Sequence, residues 1–224
     1  MAVIGLSGFA GAGKSTVAEY LVRHYGFTRL SFASAVKDVT AAAFGWDRQR
    51  LDGASPQDRV WREDPDVFWS QRMKQSFTPR AALQYIGTDV FRTHVLSSIW
   101  SDIVISKIRG LGTAANVVID DVRFVNERQA ICDEGGHFLL LRRETFATPL
   151  HQQLWSTARA GNSIETITST NELHLSEWQW LHDVTVVDDP ELINSGSYDD
   201  LYAGVDMWYN TVLAPRELTI NQGK

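Results

Sequence analysis

Residues Gly8 to Ser15 read Gly-Phe-Ala-Gly-Ala-Gly-Lys-Ser, an unbroken match to the phosphate-binding pattern G-x-x-x-x-G-K-[ST]. Glycines at this spacing let successive backbone N–H groups turn inward around an anion. A helix starting just behind them adds the positive end of its dipole. Gly8, Ala10, Gly11, Ala12 and Gly13, with Thr16 in the first helical turn, are therefore the expected wrap for the phosphates of ATP. Lys14 is placed to reach the β- and γ-phosphates, and the Ser15 hydroxyl to complete the coordination of Mg²⁺.

A second constellation is Val117-Val118-Ile119-Asp120-Asp121, an apolar run ending in two carboxylates. In phosphate-loop proteins such a strand lies beside the first one, and its acidic end meets the magnesium shell. Magnesium keeps several waters and takes one or two carboxylates, so one aspartate suffices. Alternation along a strand sends Asp120 and Asp121 to opposite faces, and the choice between them stays open.

Guanidinium groups supply the remaining candidates. Arg80 and Gln84 are four apart on an expected helix and share a face, with Arg80 in its first turn. A guanidinium grips a phosphate in two-pronged fashion, which suits Arg80, and less securely Arg92, for fixing an acceptor phosphate. Lys37 and Asp38 sit on an earlier expected helix, where they could touch the same acceptor or form a solvated face. Arg142 and Arg143 end an expected strand just before an irregular stretch that holds Arg159. Arginines delivered by a closing lid stabilise the charge that spreads over a transferring phosphoryl group, and the same closure expels competing water. One of these three is expected to act so. The six histidines show no zinc-type spacing, and Cys132, inside an expected helix, reads as a small core residue.

The elements that must position these groups alternate. Val3–Ser7 and residues 27–31, 116–121, 137–142 and 184–188 are short apolar runs of the buried-strand kind. Between them lie helical patterns at Lys14–Tyr25, Ala33–Phe44 and 126–134, the first two closed by Gly26 and Gly45. Thr78-Pro79 caps and opens another helix, which is expected to run to Ile86 and break at Gly87. A closing helix over 199–213 carries Leu201, Val205, Trp208 and Val212 on one side. Alternating strands and helices imply an α/β fold: a five-stranded parallel sheet with helices on both faces in three layers. Two stretches resist a periodic reading, the tryptophan-rich 46–76 and the Thr/Ser/Gln-rich 144–171. A long irregular stretch in a compact domain is often a lid or binding loop.

Bulk properties bound the class. At 224 residues the chain fits one large domain, or one with a mobile insertion, and can bury a core without disulfides. A net charge of −6 argues against gripping duplex DNA or an anionic membrane, while leaving free nucleotides accessible to a local basic cluster. One cysteine, no basic leader and no apolar run near the bilayer-spanning length together lead us to expect a soluble, cytoplasmic protein.

With these residues in hand, the chain resembles the deoxynucleoside monophosphate kinases of bacteriophages, within the nucleoside-monophosphate-kinase group of phosphate-loop (P-loop) proteins. The resemblance covers most of the chain. It rests on the glycine loop, on Ser31-Phe32-Ala33-Ser34-Ala35-Val36-Lys37-Asp38, and on Arg80-x-x-x-Gln84-x-x-Gly87-Thr88-Asp89 with Arg92. Asp121-Val122-Arg123-Phe124 with Asn126-Glu127, Leu141-Arg142-Arg143, and His174-x-Ser176-Glu177 complete it. The loop is shared by a vast superfamily, whereas the Arg80 and Asp121 stretches discriminate.

The resemblance implies a single P-loop kinase domain over 1–224, with a helical acceptor-binding region near 33–110 and a mobile lid near 143–171. It implies transfer of the ATP γ-phosphate to a deoxynucleoside monophosphate, with Mg²⁺ as cofactor. Arg80, Gln84 and Arg92 would face the acceptor, with Arg123 in the same cleft and Arg142 and Arg143 at the base of the lid. The expected partners are small nucleotides, with neither membrane nor nucleic acid, and a homodimer is left open. Residues 46–69 and 147–170 match no motif of the family, so the acceptor base stays open. Two other readings share the loop: a kinase for another phosphorylated acceptor such as dephospho-coenzyme A, and a non-catalytic nucleotide-binding switch.

Overall fold

A computed structural model describes residues 1–171, 173–182 and 189–214. Strand β1 (Val3–Ser7) is buried at all five positions and runs straight into the glycine loop. Helix α1 (Lys14–Tyr25) starts where that loop ends and stops at Gly26, and β2 (Thr28–Leu30) follows. Five helices come next: α2 (Ala33–Phe44), α3 (Pro56–Glu63), α4 (Val67–Met73), α5 (Pro79–Gln84) and α6 (Ile99–Leu111). The chain then returns through β3 (Val117–Ile119), α7 (Val125–Asp133) and β4 (His137–Arg143). It finishes with α8 (Pro149–Arg159), α9 (Glu165–Thr170), α10 (Leu175–Trp178), β5 (Glu191–Asn194) and α11 (Tyr198–Trp208).

The chain divides into two compact units, one formed by residues 1–31 and 104–224 and the other by residues 32–103. The first contains a five-stranded parallel sheet in the order β2-β3-β1-β4-β5, with Val3 opposite Val117 and Ile4 opposite both Val118 and His137. All-parallel strands need cover on both faces, and alternation along β1 supplies it. Ile4 and Leu6 pack with Val17, Ala18 and Leu21 of α1 and with Leu201, Val205 and Trp208 of α11. On the opposite face Gly5 lies against Phe138 and against Ile131 of α7. Each fully buried aliphatic side chain in these layers stabilises the fold by about 1.5–3 kcal/mol. The α/β fold with a parallel five-stranded sheet and helices on both faces is thus the one expected.

Its fifth strand is not. The apolar run at 184–188 lies outside the described residues, and the strand paired to β4 is β5, with Leu140 opposite Glu191 and Arg143 opposite Asn194. Glu191 and Asn194 masked this strand, because polar side chains broke the apolar run that marks a buried one. Another departure is residues 144–171. The irregular stretch expected there is largely helical, with Thr148 capping α8 by accepting from the His151 amide at 3.1 Å. Cys132, expected in the core, is exposed on α7 beside the buried Ile131. One residue along a helix is a 100° turn, enough to carry a side chain from core to solvent.

In the second unit, Thr78 accepts from the Ala81 amide at 3.1 Å and starts α5 as expected. The expected break at Gly87 does not occur: helical backbone continues in wider i→i+5 turns over Tyr85–Val95. Gly87 is buried there, its carbonyl accepts from Trp100 Nε1 at 2.7 Å, and an added Cβ would come within 3.1 Å of Val36. It is a point of close packing and not a stop. The tryptophan-rich stretch is ordered by its rings, with Phe44 stacked on Trp46 at 4.8 Å and edge-on to Trp69 at 5.0 Å. Trp69 Nε1 donates to the Phe44 carbonyl and Trp46 Nε1 to Asp66, so the polar ends of both indoles are satisfied. No helix among the described residues is long and apolar enough to cross a membrane.

Candidate nucleotide-binding site

The glycine loop is held from several sides. Lys14 Nζ donates to the Gly8 carbonyl at 2.7 Å and the Phe9 carbonyl at 2.9 Å. Arg143 Nε donates to the Gly11 carbonyl at 3.1 Å, and the buried Asn194 sends Nδ2 to the Ala12 carbonyl at 3.0 Å. A trans peptide plane pinned by its carbonyl directs its N–H the other way, which is what an inward-facing anion nest requires. Gly8 is obligatory in this arrangement. Its φ is 137°, and a Cβ there would lie 2.1 Å from the Leu141 carbonyl oxygen. Gly13, at φ 107°, forms the N-cap of α1 and delivers Lys14 and Ser15 into the first turn.

Lys14 is half-buried, and its ammonium has a pKa lowered to about 8. Burial is the main cause and the positive charge of Arg123 the next, against partial compensation from Asp120 and Asp121. A cation partly withdrawn from water in this way gains more than usual from an arriving polyphosphate.

At the acidic end of β3 the two carboxylates take different partners. The strand stops at Ile119, and Asp120, only 6% exposed, accepts from the Ser15 hydroxyl at 2.9 Å. Asp121 instead accepts from Ser31 Oγ at 2.7 Å. Ser15 and Asp120 together offer a hydroxyl and one carboxylate, hard oxygens that suit Mg²⁺ arriving with phosphate oxygens and its own waters. Among the described residues no group of three or more His, Cys, Asp or Glu side chains could hold a metal ion alone.

The other candidate residues have resting partners. Arg142 Nε donates to Glu191 at 2.6 Å, and Arg159 lies 3.8 Å from the same carboxylate. Arg123 is exposed, with its backbone amide on Glu127 at 2.7 Å. In the second unit Lys37 pairs with Asp52 at 2.9 Å, and Asp38 pairs with Arg48, which also reaches Asp52. Arg80 pairs with Glu63 at 3.1 Å, Gln84 follows it by one turn, and Arg92 donates to the Ser97 carbonyl at 3.0 Å. The first unit therefore brings together Lys14, Ser15, Asp120 and Arg143 around the loop. Arg80, Gln84, Arg92, Lys37 and Asp38 belong to the second unit.

Three contributors carry no signal in the sequence pattern. Arg29, on β2, grips Asp120 with two nitrogens, one at 3.1 Å from Oδ1. Asn194 supports the loop from β5, and Phe9 inserts its ring into a cluster of aromatic side chains. All three are tied to the site only by tertiary contact.

No family model matches the chain. A protein from Acanthamoeba polyphaga mimivirus, provisionally named a deoxynucleotide monophosphate kinase, is 33% identical over 158 residues. The match covers 66% of this chain and 77% of that protein. It supports the kinase part of the resemblance and not its bacteriophage part. Among solved structures, dephospho-CoA kinase from Campylobacter jejuni is 15% identical over 96% of this chain and 98% of its own, with a TM-score of 0.47. TT1252 from Thermus thermophilus is 20% identical over 95% and 98%, with a TM-score of 0.42. Both scores are below 0.5, and the site rests on its own geometry.

Proposed function

The chain belongs to the family of P-loop nucleotide kinases to which the mimivirus protein belongs, and from that premise we propose that it phosphorylates a deoxynucleoside monophosphate with ATP. The observation that carries the reading is the set loop: Lys14, Ser15 and Asp120 converge on a glycine turn whose carbonyls are held away from the anion's path.

In the proposed reaction an oxygen of the acceptor phosphate attacks the γ-phosphorus of ATP. The bond from that phosphorus to the β-phosphate oxygen breaks, and ADP leaves with the electron pair. The acceptor is already an oxyanion, so no strong base or protein nucleophile is needed; positioning and charge stabilisation do the catalysis. Gly8, Ala10, Gly11, Ala12, Gly13 and Thr16 enclose the donor phosphates, and Lys14 bridges the β- and γ-oxygens. Ser15 and Asp120 would hold Mg²⁺, which when bound would supply positive charge against the phosphates, while Asp121 keeps Ser31 in place. Arg143, already at the loop, is the best placed of the lid arginines to meet charge on the γ-phosphoryl group. Arg142 gives its Nε to Glu191 and supports the base of the lid, while Arg123 adds positive potential around Lys14. Arg80 takes the acceptor phosphate in place of Glu63, with Gln84, Arg92, Lys37 and Asp38 around the nucleoside.

The test is ADP production from Mg·ATP with dGMP, dTMP, dCMP, dAMP and dephospho-coenzyme A offered in turn. Stimulation by at least one deoxynucleoside monophosphate is expected. Stimulation by dephospho-coenzyme A alone would transfer the assignment to another acceptor, and stimulation by none would refute it.

A further inference from the structure

The pattern G-x-x-x-x-G-K-[ST] leaves its second position unrestricted, because the phosphate is bound by backbone there. In this chain that position is Phe9, and its ring is 8% exposed. It does not pack under the sheet with the residues of β1 and α1. It joins the separate apolar cluster built by α8, α9 and the residues after them, with Leu140 of β4, Leu154, Trp155, Ile164 and Trp180. His151 of α8 stacks on the ring at 4.5 Å with planes 24° apart, while Trp180 and Phe146 meet it edge-on at 5.1 and 6.1 Å. Phe9 is thus in direct ring contact with α8 and with both flanks of the helical segment.

The backbone of Phe9 is also bonded within the glycine loop. The carbonyl of Phe9 accepts from the Lys14 ammonium and from the Ala12 amide at 3.2 Å. A polyphosphate drawn to Lys14 would compete with the Phe9 carbonyl for the ammonium's protons. The imidazole stacked on it has a pKa lowered by burial, and its buried Nδ1 has no hydrogen-bond partner among the described residues. The Phe9–His151 contact is therefore one of ring stacking.

We propose that Phe9 is a positioning residue that ties the phosphate loop to the α8–α9 segment, so that filling the loop with a polyphosphate stabilises the segment. This rests on the phosphate-loop reading of residues 8–15. By linkage, whatever the nucleotide adds to the order of the segment, the ordered segment adds to nucleotide affinity. Removing the ring breaks the link in both directions.

Trypsin cleavage after Arg159, at the end of α8 with its side chain 42% exposed, reads the opening of the segment directly. In the wild-type protein a saturating amount of Mg·AMP-PNP should slow this cleavage by about tenfold, within the usual range of coupling between two sites. In Phe9→Ala, with saturation verified by calorimetry, cleavage should proceed at nearly the same rate with and without nucleotide. Phe9→Leu, which refills most of the volume, should regain most of the protection. Phe146→Ala, which removes a ring from the other side, should lose part of it and carries the test if Phe9→Ala does not fold. Full protection in Phe9→Ala would overturn the proposal, as would unprotected wild-type protein in which calorimetry records AMP-PNP binding. An absence of heat with wild-type protein would overturn the phosphate-loop reading and this inference with it.

Discussion

The lowered pKa of Lys14 makes proton uptake a direct report of polyphosphate at the loop. Raising the pH from 7 to 9 in the nucleotide-free protein carries Lys14 through its midpoint near 8. Bound phosphates oppose both causes of the shift by supplying negative charge, so the complex should titrate near the ordinary 10.5. At pH 8 the free protein is half protonated and the complex almost fully so, which gives about half a proton taken up per ATP. Uptake rises to about 0.9 near pH 9, and the dissociation constant should weaken by about tenfold between pH 7 and 9. Calorimetry in buffers of low and high ionisation enthalpy measures the uptake, with EDTA present so that no metal charge enters the balance. Lys14→Met should bind more weakly with no buffer dependence in this window. Equal heats in both buffers at pH 8.5, with wild-type protein binding ATP, would show that Lys14 does not meet the phosphates. The same shift has a stability consequence of defined sign. Between pH 8 and 10.5 the unfolded chain holds the proton that the folded chain has lost, so stability of the free protein rises with pH across that window. The upper figure is about 3 kcal/mol, reduced in practice because Lys14 keeps some contact with water.

Gly8→Ala should cost more than about 3 kcal/mol, because its Cβ would meet the Leu141 carbonyl at 2.1 Å. Gly11→Ala, with nothing within 4 Å, should lose only about 1 kcal/mol from its φ of 78°. Urea midpoints separate the two, and equal losses would refute the packing assigned to Gly8. Asp120→Asn should keep the Ser15 contact and cost no more than about 2 kcal/mol, because Arg29 is 38% exposed and can turn to water. It should weaken Mn²⁺ binding in the ATP complex by about tenfold by electron paramagnetic resonance, whereas Asp121→Asn should not; the reverse order would exchange their roles. Arg80→Ala should raise KM for the monophosphate by about tenfold or more while leaving KM for ATP within about twofold. Equal loss of both would remove Arg80 from the acceptor.

The sequence by itself determined the local devices. The glycine loop, the starts of α1 and α5 and the stops at Gly26 and Gly45 agree with the structure because each depends on φ preferences or caps within a few residues. The long apolar runs of β1 and β4 were equally plain, since strands buried on both faces need no partner to be recognised. Tertiary structure decided the rest. Which of two adjacent carboxylates meets Ser15 depends on where β3 ends against β1, more than a hundred residues away in sequence. Gly87 sits within a continuing helix with Val36 packed where its side chain would be and Trp100 bonded to its carbonyl, and Glu191–Asn194 is a strand because β4 offers it an edge. Phe9 and Asn194 took their places at the loop by burial among groups distant in the chain, and burial is a property of the assembled layers, which no local pattern encodes.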